Sequence, residues 1–361
     1  MHTRPWIMFA LVLALATLLA ACAADEDAIE DDVADDPDEE PDGDEPEEDP
    51  EDEADEADED PEDEADEDID DPDLETPGDG EVTLAANPWP GSFANAHVAA
   101  IILEDEMGYD VEVIEIDENA QWTGLADGDI SAVLEVWPSG HEDNLQTYVE
   151  DQGTVAELGE LGALGQIGWF TPQYVIDENP EMETWEGLEG NEEMFSTAET
   201  GDSGRFLAAD PSFVQFDEHI IDNLGLDFEI VQSGSEAAQL SEVETAIDNE
   251  EPVLFYFYTP HWMHAQEDLA MVELPEPTDE CLEAPEEERD CGYPEDVLLK
   301  VANADLADEE PDAHAFLESF TMENEWQDEI TFRIDVEGES ERDAAQWWVD
   351  EREDVWQDWL P

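Results

Sequence analysis

From residue 81 onward, apolar residues fall into short runs, each closed by a polar or turn-forming residue. Val82–Ala86, Val111–Ile116, Ile130–Val136, Phe228–Val231 and Val253–Tyr258 are rich in β-branched and aromatic side chains, so each reads as a strand. Between and after them come stretches with helical spacing: Asn95–Met107, Trp122–Asp127, Pro211–Asn223 and Ser235–Asp248. Leu224-Gly225 stops the third, and Ser233 or Ser235 is available to cap the fourth. Near the end, Ala344, Ala345, Trp348, Val349, Val355 and Trp359 recur at roughly helical spacing over Asp343–Leu360. Strands alternating with helices predict an α/β fold built on a parallel sheet. No internal repeat is visible.

Three of the predicted strands end at aromatic residues beside a proline. Trp89-Pro90 follows Val82–Ala86, and Trp137-Pro138 follows Ile130–Val136. Val253–Leu269, VLFYFYTPHWMHAQEDL, is a strand that stops at Pro260 and presents Tyr258, His261 and Trp262. Open α/β sheets hold ligands at the carboxyl ends of their strands. Aromatic faces gathered there, with few cations nearby, predict a pocket for a ligand that is itself cationic.

Length and charge narrow the picture. A chain of 361 residues exceeds what one hydrophobic core fills, so more than one lobe is expected. Acidic residues outnumber basic ones 109 to 7, which excludes nucleic acid and nonspecific binding to anionic lipid by repulsion. Beyond residue 80 about 73 acidic side chains still stand against 6 basic ones. That imbalance reads as adaptation to high salt, where screening relieves self-repulsion.

The first 80 residues stand apart from the fold. Residues 1–22 read as a targeting segment whose apolar part, Ile7 to Ala21, is short for a permanent span. Leu19-Ala20-Ala21-Cys22 resembles the lipobox of bacterial lipoproteins, which implies lipidation of Cys22. Residues 23–80 are almost wholly Asp, Glu, Pro and Ala, and are expected to form a disordered acidic linker. Cys281 and Cys291 lie in the acidic, proline-bearing stretch Pro275–Pro294. In an exported chain they are expected to pair as a disulfide stapling a surface insertion that forms no part of a site.

The segments NPWPGSFANAHVAAIILEDEMGYDVEVIEI, LADGDISAVLEVWPSGH, GWFTPQYVIDENP, FYTPHWMHAQEDLAMVELPEP and AAQWWVDEREDVWQDWL occur in this order between Glu81 and Leu360. Together they resemble the glycine betaine/choline-type substrate-binding proteins of ABC importers. The resemblance implies a type II periplasmic-binding-protein fold, with two α/β lobes closing on a ligand. Lobe 1 would take residues 81–172 and 259–361, the latter with the insertion 275–294, and lobe 2 residues 173–258. The crossings between lobes are expected near Thr171–Tyr174 and Tyr258–Trp262.

The resemblance also implies an aromatic cage for a quaternary ammonium group, at Trp89, Trp137 and Tyr258, with Trp169 as a fourth wall. Such a group has no N–H to donate, and its diffuse charge suits aromatic faces, worth about 2 kcal/mol or more per contact when desolvated. Many members carry tryptophan where Tyr258 stands. A betaine carboxylate would need donors: His261, the backbone around Gly91 and Ser92 at a helix start, and Arg205. Arg205 also has many acidic neighbours with which to pair instead. Choline-preferring members often carry an acidic residue just after the first cage tryptophan. Here Pro90, Gly91 and Ser92 follow Trp89, which favours betaine. Trp326, Trp347, Trp348, Trp356 and Trp359 are expected in the core.

The expectation is therefore an extracytoplasmic, lipid-anchored receptor that delivers glycine betaine or a related solute to an ABC permease for osmoprotection. Choline and carnitine are the alternative ligands. His261, His264 and Asp268 have the spacing of a metal site, the pattern of a metal-dependent hydrolase. However, no H-E-x-x-H, G-x-S-x-G, P-loop or C-x-x-C sequence is present. Neither catalysis, a metal nor a cofactor is expected.

Overall fold

The computed structural model describes residues 80–361, so the leader, Cys22 and the acidic stretch up to residue 79 lie outside the described residues. One nine-stranded sheet runs through the described chain in the order β2-β1-β3-β9-β4-β7-β5-β6, with β8 paired to β4. The strands are β1 (Glu81–Ala86), β2 (Asp110–Glu115), β3 (Ala132–Val136), β4 (Val155–Pro172), β5 (Gly204–Ala208), β6 (Phe228–Gln232), β7 (Leu254–Thr259), β8 (Leu269–Val272) and β9 (Glu295–Asn303). Among the described residues, no helix is long and apolar enough to cross a membrane.

Two parallel half-sheets are present, and the join between them is antiparallel. β1 pairs in parallel with β2 and β3, and β5 with β6 and β7. β9 and β4 run antiparallel between these groups, so the sheet is mixed and not wholly parallel. β4 is the longest element and belongs to both halves. It pairs with β9 from Val155 to Gln166, then with β7 from Gln166 to Phe170. Its last residues, Trp169 to Pro172, also pair with β8. β8 therefore packs beside the middle segment although it follows residue 259.

The helices begin where local chemistry allows. α1 (Pro90–Asp105) starts five residues before the apolar periodicity suggests. Proline lacks only an N–H that the first turn leaves unpaired, so the helix can start at Pro90. Almost every residue from Gly91 to Leu103 is buried, which obscures any polar face. α2 (Gln121–Asp127) ends at Gly128, whose φ of 80° suits glycine. The region Pro211–Asn223 is helical only from Asp217, as α3 (Asp217–Leu224). Before it, the Asp210 carboxylate accepts from Ser212 N and Oγ at 2.8 and 2.6 Å, holding a turn in place of a helix. α4 (Glu236–Asp248) is capped by Ser235, whose side chain accepts from Ala238 N.

At the C-terminal end lie α5 (Pro311–Ser319), α6 (Asn324–Asp335) and α7 (Glu341–Glu351). The expected helix over Asp343–Leu360 breaks at Arg352, and a shorter helical turn, Glu353–Trp356, follows. Trp348, Trp356 and Trp359 are buried, with Trp348 stacked on Trp359 at 6.0 Å, while Trp326 and Trp347 pack against the core half-buried. Lys300 on β9 is the sole lysine of the sequence and is 1% exposed. Its ammonium donates to the carbonyls of Leu317 and Glu318 at 3.0 and 2.8 Å, and to that of Phe320. These are unpaired groups at the C-terminal end of α5, where a cation is favoured. Cys281 and Cys291 form a disulfide.

Candidate ligand cage

Trp89 stands between β1 and α1, Trp137 just after β3, and Tyr256 and Tyr258 two apart on one face of β7. Phe213 comes from the Asp210 turn, and Tyr293 from the end of the disulfide-bearing insertion. These six rings line one cavity. They meet edge to face: Trp137 and Tyr258 at 5.6 Å, Trp89 and Phe213 at 5.3 Å. Gly165 on β4 makes room for the cage, since a Cβ there would lie 2.3 Å from the Trp137 ring.

The two tryptophans are held by Glu135. Its Oε1 accepts the indole N–H of Trp89 at 2.7 Å and that of Trp137 at 3.1 Å. Its Oε2 accepts from the amides of Asn95 at 2.7 Å and Gln327 at 2.5 Å. Glu135 is 2% exposed within β3, a strand otherwise wholly apolar. Burial raises its pKa to about 7, while hydrogen bonds from Trp89, Trp137 and Gln327 oppose the rise. Ionised, it places negative charge at the N–H edge of both indoles.

Glu236, the first residue of α4, braces the opposite wall. Its Oε1 accepts from Tyr258 Oη at 2.9 Å and lies 2.9 Å from Nε2 of His261. Nδ1 of His261 accepts from Met263 N at 3.1 Å, so Nε2 carries the proton and donates to Glu236. A carboxylate at a helix N-terminus is favoured by the helix dipole.

One acidic residue lines the cavity itself: Glu118, in the loop between β2 and α2. Its Oε2 accepts from His141 Nε2 at 2.9 Å, and its Oε1 accepts from the backbone N–H of Val214. Val214 follows β5, so this bond joins a loop of one half-sheet to a loop of the other.

The structure brings Trp89, Trp137 and Tyr258 together as expected from the sequence. It does not bring Trp169 to the cavity. That side chain is 0% exposed, packs on Phe206 at 5.0 Å and donates to Asp217 Oδ1 at 2.6 Å. Gly91 and Ser92 lie in the first turn of α1, but the space before them is filled. A Cβ at Gly91 would fall 2.2 Å from Gln327 Nε2 and 3.1 Å from Glu135 Oε2, and Ser92 Oγ accepts from Asn87 N at 2.8 Å. The helix start thus already faces an anion, the protein's own Glu135. His261 has both ring nitrogens engaged. Arg205 pairs with Glu242 at 2.6 Å, away from the cavity. His264 donates to the Tyr258 carbonyl at 2.9 Å, and no group of side chains suited to a metal occurs among the described residues.

The insertion is more than a surface staple. Besides Tyr293, it supplies Arg289, whose guanidinium lies 4.1 Å over the ring of Phe216, a further cavity residue. Tyr293 Oη accepts from Phe216 N at 2.8 Å. Sequence reasoning missed Glu118, Glu135, Phe213, Tyr256 and Tyr293. Two signals were available: strand alternation puts Tyr256 on the face of Tyr258, and Glu135 is a lone acid inside an apolar run.

Residues 80–351 match the family profile described as the substrate-binding domain of ABC-type glycine betaine transport systems. The chain is similar to the trimethylamine N-oxide-binding protein of Pelagibacter ubique (strain HTCC1062), 25% identical over 286 residues, covering 76% of this chain and 89% of that protein. Among solved structures it is similar to lactococcal OpuAC in its closed-liganded conformation with glycine betaine, with a TM-score of 0.63 and 20% identity, covering 78% of this chain and 100% of that one. A choline-binding protein of an ABC transporter, in complex with choline, matches with a TM-score of 0.63 and 20% identity over 77% of this chain and 91% of that one. Both solved structures share the two-lobed fold.

Proposed function

Since the chain belongs to the family of substrate-binding domains of ABC-type glycine betaine transport systems, we propose that it captures a quaternary-ammonium solute in the cage of Trp89, Trp137 and Tyr258 and hands it to an ABC permease. Phe213, Tyr256 and Tyr293 complete the walls. Glycine betaine, choline and carnitine are the candidate ligands, and import of a compatible solute for osmoprotection is the role. The protein works outside the cytoplasm, tethered through lipidated Cys22 and the acidic segment that follows. The lobes are residues 81–172 with 259–361, and residues 173–258. The two parallel half-sheets, joined along β4, support that division, except at β8, which packs beside the middle segment.

The observation that carries the reading is the aromatic cavity, whose two tryptophans are fixed by one buried carboxylate. A tetrahedral alkylammonium surrounded by aromatic faces gains about 2 kcal/mol or more per desolvated contact, whereas a primary amine loses hydrogen bonds to water there. Intrinsic fluorescence titrations test it. A saturable change is expected with glycine betaine or choline and none with glycine. Trp89→Ala and Trp137→Ala should each weaken binding by about thirtyfold, the equivalent of one desolvated contact. Glycine binding as tightly as the methylated ligands would remove the cage from the account.

A further inference from the structure

A betaine carboxylate entering this cavity would need hydrogen-bond donors, yet almost every donor around it is already engaged. The indoles of Trp89 and Trp137 donate to Glu135, and Tyr258 Oη donates to Glu236. Ser139 gives its N–H and its hydroxyl to Asp296, at 2.9 and 2.7 Å. Gly140 N donates to the Trp137 carbonyl at 3.2 Å, and Val214 N donates to Glu118. His261 and Arg205, the two side chains expected to donate to a carboxylate, are bound to Glu236 and Glu242. The hydroxyls of Tyr256 and Tyr293 are left, the latter already accepting from Phe216 N.

Glu118 adds the opposite chemistry. It is 5% exposed, lines the cavity, and is held by two donors from different parts of the fold. A carboxylate has about four acceptor sites, so two N–H bonds leave capacity for one more donor. Within a desolvated cavity that capacity attracts a hydroxyl and repels a second carboxylate.

Building on the cage reading, we infer that Glu118 sets the selectivity of the site, favouring a trimethylammonium ligand with a neutral, hydrogen-bond-donating tail, as in choline, over one with a carboxylate tail, as in glycine betaine. The hydroxyl of such a ligand donates to Glu118 and accepts from Tyr256. A buried acceptor without its donor discriminates strongly, because the mismatched ligand leaves a desolvated polar group unpaired.

The test is titration of the purified protein with choline, glycine betaine, trimethylamine N-oxide and tetramethylammonium, for the wild type and Glu118→Gln. The wild type should bind choline at least tenfold more tightly than glycine betaine. Glu118→Gln should narrow that ratio at least fivefold and weaken choline more than tetramethylammonium, which has no hydroxyl. Saturation with tetramethylammonium also reports that the variant is folded. Should the variant not fold, the wild-type ranking alone decides. Glycine betaine or trimethylamine N-oxide binding as tightly as choline overturns the inference while leaving the cage standing, and so does an unchanged ratio in Glu118→Gln. If none of the four binds, the cage reading itself fails, and the inference with it.

Discussion

Trp89 and Trp137 donate their indole N–H groups to the same oxygen, Oε1 of Glu135, at 2.7 and 3.1 Å. Two walls of the cage, from different strand ends, are thereby fixed by one buried group whose pKa is raised to about 7, chiefly by desolvation. Choline carries a permanent charge, so its binding should report the state of Glu135. Affinity should rise roughly fivefold from pH 6 to pH 8, as Glu135 ionises at the N–H edge of the rings. Glu135→Gln should flatten that profile and weaken binding. Stability runs the other way. The folded pKa lies above the unfolded value of 4.5, so the fold binds the proton more tightly, and stability falls as pH rises from 4.5 to 7. Asp217 and Asp328, each raised to about 6, contribute with the same sign, so only the affinity profile isolates Glu135. Isothermal titration across this pH range checks the prediction.

Gly165 offers a second route to the same wall. Its missing side chain leaves the Trp137 ring space on β4, and a Cβ would approach the ring to 2.3 Å. Gly165→Ala should push Trp137 out of position and weaken choline and glycine betaine binding at least tenfold. The melting temperature should move by no more than a few degrees, because one methyl at the cavity edge adds strain of about 1–3 kcal/mol. A large melting shift with affinity unchanged would refute this role.

The disulfide joins stability to binding. Cys281→Ala with Cys291→Ala should cost about 2–3 kcal/mol from the chain-entropy effect alone. A staple remote from the site would leave affinity untouched. Here the insertion carries Tyr293 into the cavity and stacks Arg289 over Phe216, so affinity should fall as well. Calorimetric melting and ligand titration on the same sample separate the two effects.

Salt should matter to the folded part itself. Residues beyond 80 carry about 67 net negative charges, so the compact state needs cations to screen self-repulsion. Removing residues 25–80 should leave the melting temperature strongly salt-dependent. Ligand binding should persist at molar salt, because desolvated contacts between a cation and aromatic rings are poorly screened. A flat melting curve from low to molar salt would contradict the first expectation. Loss of binding with the fold intact would contradict the second.

Legibility of the fold and site followed the range of the signals. Strand ends marked by Trp-Pro are local, so Trp89 and Trp137 could be read directly. β4 could not, because Gly159, Gly162, Gly165 and Gly168 interrupt its apolar alternation and lower its strand propensity. Two of these, Gly159 and Gly162, have φ of 99° and 108°, where the pairing with β9 shifts register. Glu118, Phe213 and Tyr293 reach the cavity from loops far apart in sequence, and only tertiary packing brings them together. Trp169 illustrates the converse error. It sits in a segment that carries the resemblance, yet on β4, with its ring packed on Phe206 and its N–H bound to Asp217, it is core. In a chain so rich in acids, the few that matter are marked by burial, which the sequence expresses only weakly.

Lys300, with its ammonium sealed against the end of α5, leaves the folded surface without any side-chain amine. Acylating reagents that seek lysine therefore find no side-chain target until β9 parts from α5. Modification at this single position becomes a clock for opening of the fold: its rate under native conditions counts excursions, each trapped irreversibly as it occurs. Surface coupling of the native protein must use carboxyl chemistry instead.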